Sequence, residues 1–114
     1  AVEYPYGRDP VGLLVYDSAG TMSVQIASRN RRKMSSDNLS DAMAEEIKDA
    51  AEGFTAFFGT YTVDESQKTI THVVEGHLSP NSIGKHLVRQ YEFNENRLIL
   101  RPSAHRAIVW ERVV

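Results

Sequence analysis

Two histidines and a glutamate stand close together in residues 71–81, THVVEGHLSPN, a run that otherwise reads as a β-strand. A metal site would need at least three such ligands converging on one side. Side chains alternate along a strand, so His72 and His77, five apart, diverge, while Glu75 and His77 share a face but supply only two ligands. No metal is expected. A histidine titrates near neutral pH, with an unperturbed pKa of about 6.5, so His72 can polarise a carbonyl or move a proton. It can equally be a half-buried histidine hydrogen-bonded to a neighbouring strand. Arg89 is the second group of interest, because HLVRQYEF places it on the face of Leu87, Tyr91 and Phe93. A buried arginine needs a partner, since an unpaired buried charge is costly. Glu111 of VWERV is the first choice for that partner and Glu75 the second. The alternative reading is an anchor for a carboxylate or enolate, which a planar guanidinium holds at two points. His72 and Arg89 are thus the catalytic candidates. No Gly-x-Ser-x-Gly elbow, phosphate-binding loop or dinucleotide glycine pattern occurs, so hydrolase and Rossmann chemistry are set aside and no cofactor is expected.

The elements that must position these groups follow from periodicity. Residues 11–17 (VGLLVYD) and 21–27 (TMSVQIA) flank Ser18-Ala19-Gly20 and predict a hairpin. The polar stretch SRNRRKMSSDNLSD has no period that would bury a face and reads as an exposed loop. Met43, Ile47, Ala50, Ala51, Phe54 and Phe57 or Phe58 then recur at helical spacing, predicting one amphipathic helix over about residues 39–54, capped by Asn38 or Ser40. Strands are expected at 58–64, 69–78, 86–93, 97–101 and 105–113, with Asp64-Glu65-Ser66-Gln67 and Asn94-Glu95-Asn96 as turns. Seven strands with one helix after the second predict an all-β, antiparallel, up-and-down meander that removes its edges by closing into a barrel. Strand parity puts Phe57, Gly59, Tyr61 and Val63 on the interior face, and Ile70, His72 and Val74 likewise. Glu75 and His77 are then expected outside or at the rim. Tyr16, Met22 and Trp110 are core or ligand contacts, categories that overlap in so small a barrel.

Composition narrows the partners. One domain, residues 1–114, is expected from a chain of 114 residues, enough to bury a real core. A formal net charge of −2 provides no field for nucleic acid or anionic membrane, and Arg29, Arg31, Arg32 and Lys33 lack interleaved aromatics. There is no cysteine, which excludes disulfides and thiolate metal sites and fits a reducing, cytoplasmic setting. No run approaches the length of an apolar membrane span.

The segments GLLVYDSAGTMSVQIA, FFGTYTVDESQKTITHVVEGHLSPNSIGKHLVRQYEF, LIL and IVWERV, in that order and spacing, resemble the lipocalin-like domain proteins of bacteria and fungi over nearly the whole chain. The resemblance implies a small calycin-type β-barrel with a ligand-sized interior. Some barrels of this broad type serve natural-product pathways as cyclases or isomerases. Members usually begin with a further strand carrying a Gly-x-Trp motif, which should precede YPYGRDPVGLLVY and is not seen here. A barrel lacking it has an open seam, which favours a homodimer. Two functions are therefore expected to compete. One is binding of a small hydrophobic molecule with a polar end by Tyr16, Tyr61, His72, Arg89, Tyr91 and Trp110. The other is a cofactor-independent isomerase or cyclase using the same cavity.

Overall fold

The computed structural model describes residues 5–113; the expectation that the family's first strand is lacking concerns the chain before them and lies outside the described residues. Seven strands follow one another in a single antiparallel sheet: β1 (Val11–Tyr16), β2 (Thr21–Ala27), β3 (Phe54–Asp64), β4 (Thr69–His77), β5 (His86–Asn94), β6 (Arg97–Ser103) and β7 (Arg106–Glu111). Spatial order equals chain order, as a meander of short connections requires. The sheet curls into a nearly closed barrel. Among the described residues β1 hydrogen-bonds as a strand only to β2 and β7 only to β6, yet Ile108 and Trp110 of β7 pack on the Met22, Val24 and Ile26 core of β2. Side chains thus bridge a seam that backbone bonds leave open.

The turns behave as their residues dictate. Gly20 takes φ +92° between β1 and β2, and the Asp17 carboxylate accepts the Ala19 and Thr21 N–H groups at 2.9 and 3.0 Å. Asp64 accepts Ser66 and Gln67 N–H groups in the same way between β3 and β4. Polar loop residues 28–38 are mostly exposed, and their three arginines are engaged within the chain. Arg29 pairs with Asp9 at 3.0 Å, Arg32 with Asp49, and Arg31 lies over the Phe54 ring and donates to Ala50 O at 3.0 Å.

The helix is shorter than its period suggests. α1 runs Ala44–Glu52, while Asn38 caps a separate 3-10 turn, Leu39–Asp41, through its side chain to Ser40 N. At the other end Phe54 is already opposite Ala27, and Phe57 opposite Val24, so pairing with β2 claims four residues whose spacing also suits a helix. Completing a ladder outweighs a weak local period. α1 buries no residue and lies outside the barrel.

One irregularity reorients a face. Phe58 opposes Gly76, but Gly59 opposes Val74, which leaves Glu75 as the extra residue of a β-bulge in β4. Gly59 must lack a side chain here, because a Cβ would sit 1.9 Å from Val73 O. Beyond the bulge the alternation is reset. His77 now opposes Phe57, whose ring it stacks on at 5.1 Å and 6°, and Phe57 packs on the core. His72 and His77 therefore share a face, contrary to the uninterrupted parity that separates them.

Candidate functional site

Alternation in β1, β3 and β4 turns Tyr16, Tyr61 and His72 inward, and the register places Tyr61 opposite His72. The Tyr16 and Tyr61 rings meet edge to face at 4.7 Å, and Tyr16 and Phe57 lie 5.6 and 5.9 Å from the His72 ring. Tyr61 donates its hydroxyl proton to Asp17 O at 2.6 Å, which ties β3 to the first turn. Tyr16 uses its hydroxyl on His72 Nε2, also at 2.6 Å.

His72 is 3% exposed and is the one buried polar or charged residue among those described. Burial, aided by the Arg89 charge, pushes its pKa down to about 4, so the ring is neutral at physiological pH. Burial and the adjacent Tyr61 push the Tyr16 hydroxyl upward, against a smaller pull from Arg89, so it keeps its proton. A phenol is a better donor than a neutral imidazole, so Tyr16 O–H donates to Nε2 and the ring proton resides on Nδ1. His72 Nδ1 is buried and has no hydrogen-bond partner.

Arg89 points inward from β5 opposite Ile70, half-buried, as parity predicts. Neither expected partner reaches it. Glu111 lies opposite Arg97 and pairs with it at 3.1 Å, because Ile108 and Trp110 hold the inner face of β7 and put Glu111 on the outer one. Glu75 occupies the exposed bulge. Among the described residues no carboxylate lies within ion-pair distance of Arg89, and its one recorded hydrogen bond is a marginal 3.5 Å contact to Val88 O. Burial lowers its pKa, and Arg106 acts in the same direction.

A groove of about 420 Å³ opens along the seam between β1 and β7. Leu14, Tyr16, Phe93, Leu98 and Trp110 are among its walls. Trp110 Nε1 is buried without a partner. Tyr16 and Trp110 thus line the groove, whereas Tyr61, His72, Arg89 and Tyr91 do not. Tyr91 instead meets Phe93 edge to face at 5.8 Å. Tyr16 is the junction: its ring borders the groove, and its hydroxyl leads to His72. Leu14 and Phe93 are wall residues that the sequence does not single out, although Leu14 shares the parity of Tyr16 in β1. The groove depends on which two strands face each other across the seam, and no local pattern encodes that.

Among the described residues no cluster of three potential metal ligands forms, and no helix is long and apolar enough to cross a membrane. No curated protein and no solved structure matches the chain. The family described as the lipocalin-like domain matches residues 1–113. With that match over almost its full length, and with a seven-stranded antiparallel meander curled into a nearly closed barrel, the chain belongs to the lipocalin-like domain family.

Proposed function

We propose that this protein binds a small hydrophobic molecule with a polar end, the apolar body in the seam groove and the polar end at Tyr16, within the influence of His72 and Arg89. The observation that carries this reading is the junction itself. Apolar and aromatic walls from Leu14, Phe93, Leu98 and Trp110 end at a tyrosine whose hydroxyl is bonded to a buried histidine. An apolar recess with a few convergent polar groups is the usual form of a small-molecule site. Native mass spectrometry of freshly purified protein tests it, with a retained small molecule as the expected result. A protein that retains none, and whose Trp110 emission is unmoved by any apolar probe, refutes it.

A homodimer is part of the same proposal. The outer edges of β1 and β7 carry unpaired backbone groups, and Val11, Leu13, Val15 and Val109 beside them are about half exposed. A second copy would cover these edges. Sedimentation at micromolar concentration should show a dimer, and a clean monomer excludes it.

The Tyr16–His72 contact of 2.6 Å favours a second reading, a cofactor-independent isomerase or cyclase in which the Tyr16 hydroxyl, turning from His72 to bound substrate and keeping its proton, donates a hydrogen bond to charge that develops there. Incubating the recovered ligand with wild type and with Tyr16→Phe, and resolving isomers by chromatography, separates the two readings. Conversion by wild type alone identifies an enzyme.

A further inference from the structure

We infer that the bound molecule is an organic anion, a carboxylate on an apolar body, because Trp110 in the groove, and His72 and Arg89 on the inner face behind Tyr16, present hydrogen-bond donors that no other described residue accepts. This rests on the binding function proposed above and specifies its ligand.

The hydrogen-bond inventory is one-sided. Arg89 carries only donors and a permanent positive charge, and the indole Nε1 of Trp110 is a donor only. His72 Nδ1 is a third donor, because Nε2 is occupied by the Tyr16 hydroxyl. Both His72 Nδ1 and Trp110 Nε1 are buried without partners, while the one recorded bond of Arg89 is a 3.5 Å contact to the carbonyl of its own neighbour. Buried polar groups are ordinarily satisfied, so donors in surplus call for a ligand that brings acceptors.

Charge points the same way. Of the acids, Glu95 and Glu111 line the groove together with Arg97 and Arg112, and Glu111 pairs with Arg97 at 3.1 Å; Glu92 is held by Arg101 at 2.8 Å, and Asp64 by the turn N–H groups of Ser66 and Gln67, so none of them pairs with Arg89. Glu75 lies in the exposed bulge. An inward guanidinium with no acid within ion-pair distance among the described residues costs stability in the empty barrel. A carboxylate ligand supplies both the missing charge and the missing acceptors, in the planar two-oxygen form that a guanidinium fits.

Matched probes test the inference. Trp110 is the only tryptophan and lines the groove, so its emission reports occupancy. Wild-type protein is titrated with decanoate and with decan-1-ol, and in parallel with 8-anilinonaphthalene-1-sulfonate and the uncharged N-phenyl-1-naphthylamine for a bulkier body. The anion of each pair should bind about tenfold or more tighter, the effect of one charge-assisted hydrogen bond. Arg89→Met should abolish that preference, weakening the anion of each pair at least tenfold more than its neutral partner, and Arg89→Lys should retain part of it. Thermal melts of each variant establish that it is folded. Equal affinity within both pairs, or a preference that survives Arg89→Met, overturns the anion assignment and leaves the binding function standing. Failure of all four probes to alter Trp110 emission overturns both.

Discussion

Acidification should weaken the fold through His72, and the size of the effect follows from its burial. The ring is neutral in the native barrel with a pKa pushed down to about 4, against an ordinary value of 6.5 once the chain unfolds. Between those values the unfolded chain binds more protons than the native one, so stability rises with pH across that window. The contribution is complete above pH 6.5 and is lost as the pH falls toward 4. At pH 5 the loss from this one group amounts to at most ~2 kcal/mol. Water entering the seam screens part of it, so about 1 kcal/mol or somewhat more should be measured. Urea midpoints at pH 7.5 and pH 5 for wild type and His72→Gln isolate the term. The carboxyls of Asp17, Glu46 and Asp64, held low chiefly by side-chain hydrogen bonds from Thr21, Ser35 and Ser66, weaken both proteins alike as they protonate. Wild type should lose more stability than His72→Gln over this interval. Equal losses would mean that His72 is solvated or charged in the native state, and the assignment of Nδ1 as a free donor would fall with it.

Tyr16→Phe removes the only partner recorded for His72 Nε2 and should cost about 1 to 3 kcal/mol in urea unfolding at pH 7.5, whereas an unchanged midpoint contradicts the buried bond. Arg89→Met should raise the stability of ligand-free protein by ~1 kcal/mol, because it removes a half-buried charge that lacks an acid; destabilisation instead would reveal a partner for Arg89. Gly59→Ala should cost about 3 kcal/mol or more, since its Cβ meets Val73 O at 1.9 Å, while Gly20→Ala, in open space at φ +92°, should cost only about 1 kcal/mol. Comparable midpoints for the two glycine variants would show that the bulge yields readily.

The amino-acid sequence by itself determined the meander, its turns, and the inward faces of Tyr61, His72 and Arg89. Each rests on a period of two residues and on turn chemistry at Gly20 and Asp64, which act within a few residues of chain. Only the tertiary structure decided the rest, because each remaining feature depends on which residues meet across strands. The bulge at Glu75 needs the register of β3 against β4, and it turns His77 onto Phe57. Pairing with β2 converts Phe54–Phe57 from helical spacing to strand. Glu111 serves Arg97 because β7 lies beside β6 with Trp110 turned inward, and this leaves Arg89 without an acid among the described residues. The neutrality of His72 and the groove beside Tyr16 arise from closure of the barrel, since burial and the facing of β1 and β7 exist only once distant strands have come together.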